Sequence, residues 1–416
     1  MILLNDDNFR VLVCDMLTGS GKTQAAINRM NEDEENHYIF ITPYLSETKR
    51  IARACSERNF YCPEHKGIGK LKDLENKLRE KRNISSTHAL LQYYTKDTIK
   101  LIEEGNYKLI LDEAFDVVDQ IKVHKHDMNY LFGCGAIRYC EGSNERIEWV
   151  DKEYQGNVFK ELKDKIEDGN VVYYENELLL WHFPIEVFKA FKEVIILTYL
   201  FEAQVQKYYY EMNNVKIKYI GVKQNALGEY YFSEDVKQPD YAKDLINKIH
   251  ILDDERLNEI GDKHNALSSS WYDREMEQRG KPKIKELKNN IYNVFRHKFN
   301  ASSQTSMWTT FKKGKDILKP KGYANSFIEW NCRATNDYSD RKYIAYCVNV
   351  YFMPILKNYF LTHGANVQED VYALSEMIQF VFRSAIRNNE DIWIYVPSSR
   401  MRNLFINWLK SLNEEV

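Results

Sequence analysis

Continuous apolar runs, each closed by a polar turn, alternate along the N-terminal half with segments whose apolar residues recur at helical spacing. Phe9–Cys14 (FRVLVC), Tyr38–Thr42 (YIFIT), Tyr107–Leu111 (YKLIL) and Val194–Thr198 (VIILT) are rich in β-branched and aromatic residues. They predict buried strands. Gln24–Met30 follows the first run in helical spacing, giving strand, Gly-rich turn, helix. Strands that alternate with helices predict a parallel sheet with crossovers on both faces.

The pattern then changes. Between Met128 and Trp181 the chain is irregular, with a polar stretch CEGSNERIEW and a charged ELKDKIEDGN that reads as an exposed helix. An insertion is expected there. Asn225–Gln238 is loop-like and Asp262–Lys283 is polar and weakly periodic, so a domain boundary is expected near 215–245. In the second half, Ile284–Lys298, Tyr343–Phe360 and Tyr372–Asn388 read as helices. Ser306–Phe311, Ser326–Trp330 and Ile392–Val396 read as strands, and a final helix carries Met401, Leu404, Phe405, Trp408 and Leu409 at core-facing spacing. The expected organisation is an N-terminal domain at 1–220, with its insertion at about 128–181, and a C-terminal domain at 245–416.

Composition narrows the class. A chain of 416 residues exceeds one ordinary core at the usual ~100–200 residues per domain. Its 44% hydrophobic and 29% charged residues, with 29 Tyr and 20 Phe, are those of a globular protein. A net charge of −3 means that any nucleic acid must be gripped in a local groove. The seven cysteines contain no CxxC pair, which argues for a reducing compartment and against a disulfide framework. Cys62 and His65 lack a second pair to complete a zinc site. The N-terminus has no basic segment followed by a long apolar one, and no run approaches the ~20 apolar residues of a membrane helix. A cytoplasmic protein without membrane contact is expected.

The Gly-rich turn is Met16-Leu17-Thr18-Gly19-Ser20-Gly21-Lys22-Thr23. Met16 stands where the general phosphate-loop pattern has Gly, and TGSGKT completes that pattern. Glycines let backbone N–H groups approach phosphates, the following helix adds its dipole, Lys22 would meet the terminal phosphates and Thr23 would ligate Mg²⁺. Thr18, Gly19, Ser20, Gly21, Lys22 and Thr23 are thus the expected ATP-binding residues. Leu109-Ile110-Leu111-Asp112-Glu113-Ala114 ends a strand on two carboxylates. Asp112 is the expected second Mg²⁺ ligand and Glu113 the base that orients and deprotonates the attacking water.

TGSGKT followed by LILDEA resembles the first RecA-like domain of the second helicase superfamily, the DEAD/DEAH-box-like proteins. Ile41-Thr42-Pro43-Tyr44 and Ser86-Thr87-His88 resemble segments in which hydroxyls, here of Thr42 and Thr87, touch the nucleic-acid backbone without reading sequence. Leu197-Thr198-Tyr199 lies where that family carries its coupling motif. Asn331-Cys332-Arg333-Ala334-Thr335-Asn336 loosely resembles the fifth motif. Gln379-Phe380-Val381-Phe382-Arg383-Ser384-Ala385-Ile386-Arg387 resembles the sixth, in which arginines reach the ATP. At ~100° per helical residue, Gln379, Arg383 and Arg387 would share one side of a helix, and an arginine aimed at the γ-phosphate stabilises charge as the bond breaks. The RATN block also resembles helicase-like proteins of phages and mobile elements.

The resemblance implies two RecA-like P-loop NTPase domains of α/β class, mostly parallel sheets with helices on both faces. It also implies ATP and Mg²⁺ as cofactors, and a helicase or translocase acting on nucleic acid, DNA in preference to RNA. A bacterial or phage-infected cytoplasm, with replication or recombination proteins as partners, fits that association. Two other readings stay open: a nucleotide-gated adaptor or loader with weak unwinding, and a P-loop phosphotransferase.

Overall fold

The computed structural model describes residues 11–65, 67, 69–331 and 338–413. They form two compact units, one of the described residues of 11–15, 21–236 and 353–367, the other of those of 16–20, 237–352 and 368–413.

The first unit is built on β1 (Val11–Asp15), β2 (His37–Thr42), β3 (Ile84–Thr87) and β4 (Tyr107–Asp112). After the insertion β5 (Val118–Gln120), β6 (Ile137–Tyr139), β7 (Ile147–Trp149), β8 (Val171–Tyr174) and β9 (Leu178–His182), the unit resumes with β10 (Glu193–Thr198), β11 (Ile217–Gln224) and β12 (Tyr230–Ser233). The main sheet runs β12-β11-β1-β10-β4-β2-β3. It is parallel except for the β11–β12 hairpin. Ile195, Ile196 and Leu197 of β10 and Leu109, Ile110 and Leu111 of β4 are wholly buried; strands covered on both faces need such unbroken apolar runs. The insertion is ordered rather than irregular. Its β5-β9-β8 and β6-β7 sheets enclose a core of their own around Met128, Leu131, Ile147, Leu162, Ile166 and Val171. The helix Lys160–Glu167 lies in the charged segment.

The second unit holds a parallel sheet of β13 (Ile249–Ile251), β14 (Ser306–Thr309), β15 (Tyr343–Tyr346) and β16 (Ile392–Tyr395), in the order β13-β16-β15-β14. Its core gathers Leu257, Trp271, Ile284, Leu287, Trp308 and Tyr395.

Three expected elements are corrected here. Ser326–Trp330 is not a strand: Ala324–Ser326 makes a tight turn, and Phe327 forms a single bridge to Trp308 while packing edge-on against its ring at 5.0 Å. Tyr343–Phe360 is not one helix. Its first residues form β15, and the helix begins only at Pro354, where proline's fixed φ and missing N–H suit a first turn. The helix expected through Asn388 stops at Val381.

Candidate functional site

β1 runs into the glycine-rich loop, and α1 (Lys22–Glu32) leaves it. Gly19 and Gly21 have φ of 93° and 86°, values that a side chain would strain. At Gly21 space also forbids one. A Cβ there would lie 2.3 Å from ring carbons of Tyr230, whose backbone carbonyl accepts a 2.9 Å bond from the Asn28 amide. No side chain caps α1, so its first-turn N–H groups suit an anion. Ser20, 6% exposed, has a hydroxyl without a hydrogen-bond partner among the described residues. Within the second unit, Leu17 N donates to Gln238 Oε1 at 3.0 Å and the Tyr241 hydroxyl donates to the Thr18 carbonyl at 2.6 Å.

β4 delivers the carboxylates, with β10 between it and β1. Thr42, at the end of β2, donates its hydroxyl to Asp112 Oδ2 at 3.2 Å, and His88 Nε2 lies 3.0 Å from the Asp112 carbonyl. Glu113 turns out of the strand at φ 69°; its N–H bonds to Leu197 O at 2.9 Å and its side chain is exposed. A left-handed non-glycine residue costs on the order of 1–3 kcal/mol and persists only where its surroundings impose it, often at functional sites.

The electrostatics couple these parts. Burial, and then the Glu113 charge, push the Asp112 carboxyl up to about 7, against the Thr42 hydrogen bond and Lys22. Burial holds the Lys22 ammonium below its ordinary value, while Glu113, Cys14, Asp112 and Asp15 favour its charge. The Cys14 thiol, pushed up to about 12 by burial, stays protonated and is no nucleophile. Two carboxylates facing one desolvated lysine suit a divalent cation, which would drive the Asp112 proton off. Asp112 offers an oxygen donor of the kind Mg²⁺ prefers, and Thr23 is the second residue of α1.

Several contributors were not foreseen from the sequence. Asp15, the last residue of β1, accepts N–H bonds from Leu200 at 2.6 Å and Phe201 at 2.9 Å. It thereby ties the loop strand to the turn after β10, where Leu200 takes φ 54°. Its position as an acid directly before the loop was the available clue. Tyr230, Gln238 and Tyr241 left none, because they reach the loop from far along the chain.

Of the other expected site residues, Thr42 is wholly buried with its hydroxyl on Asp112. Thr87 is half-buried at the start of the helix His88–Leu91. Gln379, Arg383 and Arg387 do not share one helix face. Gln379 is on the helix Glu369–Val381, Arg383 is 5% exposed in the turn that follows, and Arg387 is exposed on the short 3₁₀ turn Ala385–Asn388. The helix stops because Ser384 folds back, its N–H and hydroxyl both donating to Val381 O, while Ala385 N donates to Arg341 O at 2.9 Å. Cys332–Asn336 lie outside the described residues. Among the described residues no helix is long and apolar enough to cross a membrane.

A mostly parallel sheet that brings a glycine-rich loop and an acidic strand end to one edge, in a chain whose second unit is also built on a parallel sheet, defines an α/β fold of parallel sheets and helices. Residues 118–181 match the YonV middle domain and residues 243–409 the YonV C-terminal Rossmann-like domain. The chain is 41% identical over 418 residues to the SPbeta prophage-derived protein YonV of Bacillus subtilis (strain 168), covering 97% of this chain and 99% of that protein. It belongs to the YonV family. Among solved structures it is similar to the XPD helicase, with a TM-score of 0.51, 12% identity and coverage of 98% of this chain and 96% of that one; the α/β fold is shared. The structure of S. tokodaii Xpd4 also matches, with a TM-score of 0.47, 11% identity and coverage of 95% and 93%.

Proposed function

We propose that this chain is a nucleic-acid-dependent ATP hydrolase, a helicase or translocase of the DEAD/DEAH-box-like type acting on DNA. The observation that carries the reading is the glycine-rich loop between β1 and α1 together with Asp112 and Glu113 at the end of β4 in the same parallel sheet. Ligands of parallel sheets bind at the carboxyl ends of the strands.

In this reading Thr18–Gly21 offer backbone N–H groups to the phosphates, and Lys22 neutralises the terminal ones. Thr23 and Asp112 hold Mg²⁺, which when bound supplies charge neutralisation at the phosphates. The exposed Glu113 orients a water and takes its proton as the water attacks. Thr42 acts on Asp112, as its positioning residue, rather than on a phosphate of the polymer. Thr87 remains a backbone-contact candidate. Arg387, the exposed arginine of its pair, is the better candidate for the charge-stabilising finger; Gln379 stands on the preceding helix, and Arg383 is packed inside its unit.

The test is steady-state ATP turnover, alone and with single-stranded DNA, duplex DNA and RNA, beside Lys22→Ala and Glu113→Gln. Turnover stimulated by one polymer and abolished in both variants is expected. Turnover indifferent to every polymer would replace the motor with a nucleotide-gated adaptor or a phosphotransferase, and no turnover at all would sink the hydrolase.

A further inference from the structure

The second unit carries a feature that nucleotide chemistry does not use. One residue beyond β14 the chain reads FKKGKDILKPK, five lysines between 312 and 321 against one acid, Asp316, in a protein of net charge −3. Lys319 pairs with Asp316 at 2.6 Å and Lys313 with Asp273 at 2.6 Å. Lys312 and Lys315 make no ion pair among the described residues; Lys315 lies over the Phe327 ring at 4.7 Å. Beside these lysines opens a cleft of about 410 Å³ lined by Phe311, Lys312, Lys313, Glu329, Trp330 and Asn331. Phe311 and Trp330 are both half-buried, and their rings meet edge to face at 5.9 Å and 69°. Phe311 thus buttresses Trp330.

We propose that this cleft takes an unstacked base of a single-stranded nucleic acid. Trp330 provides the stacking face, Glu329 and Asn331 the polar edge, and Lys312 the contact to the flanking phosphate. Charge complementarity selects a polyanion, and the aromatic wall selects one with planar groups spaced along it. A lysine-lined groove with an aromatic platform holds single strands with little sequence preference. Glu329 adds a bias, because a carboxylate accepts hydrogen bonds from the amino group of cytosine and has nothing to offer thymine's carbonyl at that position. The inference rests on the motor reading for its biological sense, since it names where the second unit would hold the strand, but its chemistry stands apart from ATP.

The experiment is fluorescence anisotropy of labelled oligo(dC) and oligo(dT) with the full chain over a range of salt, for the parent, Lys312→Glu, Trp330→Ala and Trp330→Phe. Trp330→Ala is expected to weaken binding roughly tenfold, within the range for one lost base–aromatic stack, and Trp330→Phe to restore most of it. Lys312→Glu, on an exposed side chain whose change leaves the melting temperature in place, is expected to weaken binding and to flatten the salt slope by about 0.7 or more. Oligo(dC) should bind more tightly than oligo(dT). Parent-like binding by both Trp330→Ala and Lys312→Glu would overturn the cleft while leaving the motor reading untouched, and so would an acidic peptide that competes as well as the oligonucleotide in every variant. Binding that falls in these variants while the parent shows no polymer-stimulated turnover would keep the cleft and remove the motor. A parent that binds no single strand would remove the cleft outright.

Discussion

The sharpest consequence of the loop's geometry lies at Gly21. An alanine there meets two separate obstacles. Its backbone must hold φ 86°, which costs an ordinary residue ~1–2 kcal/mol. Its Cβ would also sit 2.3 Å from two ring carbons of Tyr230, so the ring must move, and forced repacking of this kind typically costs ~1–3 kcal/mol. Together the Gly21→Ala substitution should destabilise the start of α1 by about 2–5 kcal/mol. Tyr230→Ala removes the second obstacle alone. Because the Asn28 bond is to the Tyr230 backbone carbonyl, the hairpin keeps its anchor, and the substitution itself should cost only about 1 kcal/mol for a half-buried ring. In that background Gly21→Ala should cost the backbone share only, leaving a coupling of about 1–3 kcal/mol between the two positions.

Hydrogen exchange of the α1 amides reads the local opening free energy directly, and it avoids assuming that a chain of two units unfolds in one step. Binding of a fluorescent ATP analogue to the same four proteins gives the functional counterpart, since a Cβ also crowds the approach to the phosphates. An equal cost for Gly21→Ala in both backgrounds would refute the reasoning, because it would mean that the ring is not seated on the loop.

Thr42→Val keeps shape but removes the hydrogen bond that favours the charged form of Asp112. A bond of ~1 kcal/mol corresponds to a rise of up to about 1 pH unit, so the acid limb of the Mg²⁺-dependent rate profile should move to higher pH; an unmoved limb would remove Thr42 from the site. Asp15→Ala leaves the Leu200 and Phe201 N–H groups without their acceptor, at a cost of about 2–3 kcal/mol, and Asp15→Asn should recover part of it in thermal melts. His182 is held down to about 4 by burial and by neighbouring His363, and bonds to the Tyr359 hydroxyl at 3.1 Å. The folded pKa lies below the unfolded 6.5, so its contribution is complete above 6.5 and is lost, up to about 3 kcal/mol, as pH falls toward 4. His182→Gln should flatten the melting temperature over that window, and an unchanged acid slope would show that another group is responsible.

Legibility from the sequence followed the strength of the local pattern. β1, β2, β4 and β10 were readable because a parallel strand buried on both faces must be apolar throughout, and TGSGKT because few other structures need those glycines between strand and helix. β15 was misread for the same reason inverted: YIAYCVNVYF is apolar without a period, and such a run does not separate strand from helix. The stop at Val381 was invisible because it is made by Ser384 and by a long-range bond from Ala385 to Arg341, while the local pattern continues past it. The order in the insertion escaped notice because its strands are short and its core residues are interleaved with polar turns.

The end of β10 gathers both halves of the candidate chemistry. Glu113 is fixed by its N–H bond to Leu197 O, and Asp15 grips Leu200 and Phe201. Asp15 is the residue before the glycine-rich loop, and Lys22 after that loop feels the charges of Asp15, Asp112 and Glu113 together. In the proposed motor a change of charge beside Lys22 would therefore be felt over one short segment, Leu197–Phe201, through two different backbone attachments. Leu197-Thr198-Tyr199 matches the helicase coupling motif poorly as letters. The attachments, however, are made by backbone N–H and C=O groups, which any residues can supply. In the proposed motor, coupling at this turn would depend on where Asp15 and Glu113 stand, and much less on the identity of the residues they hold.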